Sequence, residues 1–144
     1  MTKYLPFVYD KHQFFTNQKC FVVTGNQLSY LTAFFSSSIF RFAFKEYFPE
    51  LLGDTRELSK VFFETVAIKE IDNDTNLLFE NLLSELVNAK ISGKSTLSIQ
   101  CKIDRKLANI YTLTDAEIRL VDFSEKTDIE AETSIIDISE LVKS

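Results

Sequence analysis

The sequence predicts a helix-rich α+β fold: a small sheet in the N-terminal half, packed by a long aromatic helix, then a helical C-terminal half. Three observations carry that expectation. Apolar residues recur at intervals of three and four through residues 27–47, 77–91 and 96–111, the spacing of one helix face. Two short stretches, Lys19-Cys20-Phe21-Val22-Val23-Thr24 and Val66-Ala67-Ile68-Lys69-Glu70-Ile71, read as strands, the first as a buried apolar run and the second by alternation. Only 3 Gly and 2 Pro occur among 144 residues, too few forced turns for a many-stranded barrel.

Along residues 1–17, Tyr4, Phe7, Tyr9 and Phe14 alternate with polar residues without helical spacing; the segment reads as an extended arm or an edge strand. Residues 19–24 follow as a buried strand that stops at Gly25-Asn26. From 27 to about 47 the spacing predicts one long helix. Leu28, Leu31, Phe35 and Phe42 form its stripe, widened by Phe40, Phe44 and Tyr47, so that it is wedged between two layers. Ser36-Ser37-Ser38 lies inside it, three small side chains that permit close approach of another element. Pro49 ends the helix and Gly53-Asp54 makes a turn.

A shorter helix is expected over 58–65, with Leu58, Val61, Phe62 and Thr65 on one side, then the exit strand 66–71. Asp72-Asn73-Asp74 breaks that strand and supplies an N-cap for a helix over 77–91, striped by Leu78, Leu82, Leu86 and Ala89. After the linker Ser92-Gly93-Lys94-Ser95, Ile99, Ile103, Leu107 and Ile110 mark another helix over 96–111. Thr114 and Glu117 stand as N-cap and N3 of a capping box, opening a last short helix to about Phe123. Beyond Ser124 the chain is acidic and irregular.

At 144 residues the chain fits one domain, or one small domain with a helical extension, and 14 Phe supply large side chains for a core. Its net charge of −5 and pI near 4.9 argue against nucleic-acid binding by bulk charge. The acids concentrate after Asp115, however, while residues 3–56 are close to balanced. Cys20 and Cys101 form no CxxC pair and read as thiols in a reducing compartment. No secretory leader opens the chain. Arg41, Lys45 and three serines interrupt its Phe-rich segment, so that no apolar run reaches the ~18 residues of a membrane span. A cytoplasmic protein is expected.

No enzyme chemistry is legible. His12 is the only histidine, and a lone imidazole in a polar segment reads as a surface residue rather than a base or metal ligand. There is no GxGxxG, and Ser92-Gly93-Lys94-Ser95 lacks the first glycine and the preceding strand of a phosphate-binding loop. Asp72-Asn73-Asp74 lacks the glycine and distal glutamate of a calcium loop. No catalytic residue, metal or cofactor is expected. Phe34, Phe35, Phe42 and Phe44 read as core rather than as a stacking platform for bases.

The cations beside them are the candidate site. Arg41 and Lys45 are four apart, as are Arg56 and Lys60, so two pairs close in sequence suit one phosphate backbone. Pairing with Glu46, Glu50, Glu57 or Glu64 and plain solvation is the alternative. Lys102, Arg105 and Lys106 form a further basic group, read as a solvated helix face.

The order of these pieces resembles the C-terminal specificity region of Eco- and Taq-type restriction-modification methylases. The strand at 20–25 is followed by residues 28–44, similar to that family's "YLLALLNSKLFxFYF" helix. GDTRELSKVFFETVAI then resembles its loop leading to "IPIP", and IDRKLANIYTLTDAEIRLVD is similar to its "IDxLVYxLYGLTxEEIxxIE" ending. Both prolines of "IPIP" are replaced here. The family's methyltransferase half, with its Asn-Pro-Pro-Tyr loop, is not in this sequence, which therefore reads as the tail of a larger protein.

The resemblance implies a non-catalytic target-recognition fragment of an adenine-specific DNA methyltransferase, with double-stranded DNA and the parent methyltransferase or nuclease portion as partners. On its motifs Arg56, Ser59 and Lys60 fall in the loop and helix that approach DNA, with Arg41 and Lys45 on the supporting helix. Residues 1–72 would be the recognition part, 73–124 a helical spacer and 125–144 an acidic tail. The alternative is a helical interaction or dimerisation module that uses Leu82 and Leu86 and has no DNA binding of its own.

Overall fold

The computed structural model describes residues 7–10, 20, 22–51, 56 and 60–121. Among them the architecture is all-helical: α1 Leu28–Phe35, α2 Ser38–Tyr47, α3 Lys60–Glu64, α4 Asn73–Ile91, α5 Leu97–Ile110 and α6 Asp115–Val121. Helix α1 packs on α4 and α2, α4 packs on α5, and α2 touches α5 and α6.

Among the described residues there is no sheet, which corrects the α+β class. Within the described residues the only β-type pairing is an isolated antiparallel bridge between Glu50 and Arg56. At 22–24 the chain is irregular, with Val22 and Val23 exposed. At 66–69 the alternation is real, Val66 and Ile68 packing against the core while Ala67 and Lys69 face outward. It breaks at 70–71, where Glu70 is exposed and Ile71 packs inward. The segment is nevertheless a strap lying on helices. Side chains take two of its backbone groups, Lys69 N–H donating to the Tyr111 hydroxyl at 3.2 Å and Ile71 O accepting from Gln27 Nε2 at 2.7 Å. Period-2 burial reports which side of an extended segment is covered; it does not supply a neighbour for the ladder.

The long aromatic helix is two helices. The chain breaks at Ser36-Ser37, where Ser37 has extended backbone angles and its Oγ accepts from Phe40 N–H at 3.1 Å. Ser37 Oγ also donates to Phe34 O at 2.5 Å, at the end of α1. One serine thus closes one helix and opens the next, a role serine takes readily because its hydroxyl competes with the backbone ladder.

Both helices are capped from a distance as well. Asn76 of α4 accepts from the Tyr30 N–H in the first turn of α1 at 3.2 Å. Asp104 of α5 accepts from Ser38 N–H at 3.0 Å and from Ser38 Oγ at 2.8 Å in the first turn of α2. Local caps start α4 and α6. Asp72 accepts from Thr75 N–H at 2.7 Å before α4. At α6, Thr114 and Glu117 form the reciprocal box that was expected.

The core is an aromatic cluster under α1 and α2. Tyr30, Phe34, Phe35, Phe40, Phe44, Phe48 and Phe79 are all buried. Phe35 and Phe40 stand edge to face at 5.0 Å, and Phe7, from the N-terminal segment, stacks on Phe35 at 5.1 Å. Such geometry adds to plain area burial. Leu83 and Leu86 of α4 and Ile99, Ile103 and Leu107 of α5 complete it. The same cluster therefore draws on residues from both sides of position 72. Phe42, expected in the core, is 38% exposed, whereas Phe34, Phe35 and Phe44 are buried.

A second polar clamp ties the elements. Tyr30 donates to Tyr111 Oη at 3.2 Å, and Lys69 Nζ donates to Ile110 O at 2.6 Å. Burial, then the hydrogen bond with Tyr111, pushes the Tyr30 phenol well above its ordinary range.

Candidate functional site

Of the five candidate residues Ser59 lies outside the described residues, and the four cations differ in exposure and in what they bind. Arg41 is half-buried, one turn into α2, and Lys45 is exposed in its last turn. Arg56 is turned inward. Its side chain is 15% exposed, Nη1 donates to Phe48 O at 2.8 Å, and Nη2 lies 3.6 Å from Glu50 Oε2. Phe48 is the residue that terminates α2, so this guanidinium holds the carbonyl left over at that helix end. The bond, the ion pair and the Glu50–Arg56 bridge make Arg56 a clasp for the turn after α2.

Lys60 opens α3 and faces solvent, 3.4 Å from Glu64 in an i,i+4 pair. Both side chains are more than half exposed, so the pair is weak and exchangeable. Ser59 lies outside the described residues, as do residues 52–55 of the loop. The arrangement thus leaves Lys45 and Lys60 as solvent-facing cations and commits Arg56 to the fold. Sequence spacing had no means of distinguishing them, because the carbonyl that claims Arg56 comes from a helix end eight residues away.

Two other surface features emerge. On α4, Leu77, Leu78 and Leu82 line a shallow groove rimmed by Asp74, Asn81 and Glu85. Leu77 is 54% exposed, while Leu86, grouped with Leu82 by sequence, is buried at 1%. The buried side of α4 instead centres on Phe79, Leu83 and Leu86. On α5, Lys102, Arg105 and Lys106 are exposed, and Lys102 lies 3.5 Å from Glu85 of α4.

No group of three or more His, Cys, Asp or Glu able to hold a metal occurs among the described residues. No helix among them is long and apolar enough to cross a membrane. Comparison of the chain with protein-family models, with curated proteins and with solved structures finds no match in any of the three.

Proposed function

We propose that this chain is a non-catalytic supporting part of a DNA target-recognition region, of the kind that accompanies adenine-specific methyltransferases of restriction-modification systems. The observation that supports it is the meeting of its two most motif-like segments. The YLTAFFSSSIFRFAF stretch carries Tyr30 and Ser38, and the IDRKLANIYTLTDAE stretch carries Asp104 and Tyr111. Those residues bind one another across the fold, Asp104 to Ser38 and Tyr30 to Tyr111. Of these four residues Tyr30, Asp104 and Tyr111 match the family's pattern and Ser38 stands where that pattern has lysine, so it is chiefly the Tyr30–Tyr111 contact that joins the two motif-like segments through matching residues.

In this reading Lys45 and Lys60 supply phosphate contacts, Arg41 stands on the helix that supports them, and sequence readout lies mostly in parts outside the chain. The compartment is the cytoplasm. The partners are duplex DNA and the methyltransferase or nuclease portion, and no methyl transfer occurs on this chain. A fluorescence-polarisation titration against labelled mixed-sequence duplexes tests it. Binding that weakens as salt rises is expected; flat polarisation at low salt, or turnover of labelled S-adenosylmethionine, sinks the reading.

A second reading has an observation of its own, the exposed leucine groove on α4. There the chain is a dimerisation module whose groove seats a second copy. Light scattering separates the two, since the first reading works as a monomer and the second requires self-association.

A further inference from the structure

We infer that the outer face of α5 is a phosphate-contact surface for the duplex, distinct from the α2–α3 cations; the inference rests on the DNA-binding reading above. Helix α5 contains one carboxylate, Asp104, and the fold removes it from the surface entirely, 0% exposed and bonded to Ser38. Lys102 and Lys106 lie two residues either side of it and hence on the opposite side of the helix. The solvent face then reads Ser98, Lys102, Arg105, Lys106 and Asn109, all exposed. Every one of those side chains carries a hydrogen-bond donor and none is an acid, the composition that phosphate oxygens accept.

Among the described residues the neighbouring charges leave that face available. Lys102 pairs with Glu85 at 3.5 Å, both side chains more than half exposed, a contact that a phosphate can replace at little cost. Arg105 and Lys106 have no ion-pair partner among the described residues. Like charges at i,i+4 weaken a helix, and Lys102 and Lys106 stand in that relation with Arg105 between them. In a chain of net charge −5, a cationic cluster of this kind is not needed for solubility. A polyanion offsets its self-repulsion, and Arg105 adds a fork that matches two phosphate oxygens. The opposite side of α5, Ile99, Ile103 and Leu107, is locked in the core, so the face is presented by a rigid element.

The test compares the full chain with the charge-reversal doubles Arg105→Glu with Lys106→Glu, and Lys45→Glu with Lys60→Glu, binding one labelled mixed-sequence duplex across a salt series. All four positions are exposed, and circular dichroism confirms that both variants fold. Loss of at least tenfold in affinity by the α5 double, with the slope of log affinity against log salt falling by about two, supports the inference. If the parent chain binds with salt dependence and the α5 double matches it, the inference falls while the DNA-binding reading stands. If the parent chain binds no duplex, both fall.

Discussion

Both carboxylate oxygens of Asp104 accept from Ser38, taking its amide at 3.0 Å and its hydroxyl at 2.8 Å from 66 positions away. The pair joins the middle of α5 to the first turn of α2, where unsatisfied N–H groups and the positive end of the helix dipole favour an anion. Because Asp104 is fully buried, these hydrogen bonds help to compensate its desolvation. Asp104→Ala is expected to destabilise the chain by about 2–3 kcal/mol, the range for losing charge-assisted bonds at a buried site. Asp104→Asn keeps an acceptor for the Ser38 amide and should cost less. Urea unfolding of the two variants checks the order; equal losses would mean that packing, not capping, is what Asp104 contributes.

Arg56 gives a prediction that separates fold from function. Its guanidinium ends α2 through Phe48 O and pairs with Glu50, so Arg56→Ala should lower stability by about 1–2 kcal/mol, the scale of one hydrogen bond to a charged donor. Lys60→Ala removes only an exposed pair and should stay within about 0.5 kcal/mol. Thermal melts of both variants decide. A larger loss for Lys60→Ala than for Arg56→Ala would reverse the assignment of Arg56 as the clasp.

The contrast between these residues also shows what could be read before folding. Short-range chemistry was legible: the Thr114–Glu117 box and the Ile99, Ile103, Leu107 stripe appear where spacing places them, and the cap expected within Asp72-Asn73-Asp74 is Asp72, although its helix begins at Asn73 rather than near 77. Each depends only on residues within a turn or two. The break in the aromatic helix was not legible, because half of its support is Asp104, far along the chain. Three serines signalled an exception but not its kind. The strap at 66–71 showed its buried side in the alternation of Val66 and Ile68, though not at Ile71, and its partners are the side chains of Gln27 and Tyr111 rather than a strand. Candidate cations fared similarly. Spacing grouped Arg41, Lys45, Arg56 and Lys60, whereas the tertiary fold draws Arg56 inward to a carbonyl that no local pattern could identify.

Acid should loosen two helix starts before the core. The side-chain and backbone hydrogen bonds with Thr75 hold Asp72 below its ordinary 3.8, and those with the Thr114 amide and hydroxyl hold Glu117 below its ordinary 4.5. A depressed folded-state pKa means that the unfolded chain binds the proton first as pH falls. Both contributions are therefore present in full above about pH 4.5–5 and disappear as pH drops through the depressed folded values. Amide exchange at Thr75 and Glu117 should accelerate, relative to its intrinsic rate, over that window while Leu107 stays protected. Asp72→Asn should flatten the Thr75 response. A Thr75 response that persists unchanged in Asp72→Asn would assign the acid effect elsewhere.

The two sides of α4 offer the last contrast. Phe79 is 0% exposed and lies tilted against Tyr30 with ring centroids 5.4 Å apart, so Phe79→Ala removes a ring from a packed aromatic cluster and should cost about 3–5 kcal/mol. Leu77, two residues earlier, faces the groove with more than half its surface in water, and Leu77→Lys should leave stability within about 0.5 kcal/mol. Oligomeric state then tells which function the groove serves. If the parent chain is a dimer by light scattering and Leu77→Lys converts it to a folded monomer, the groove is a self-association surface and the second functional reading gains. If the parent chain is already monomeric at high concentration, the groove does not pair copies of this chain, and self-association ceases to compete with DNA contact as an account of the fold.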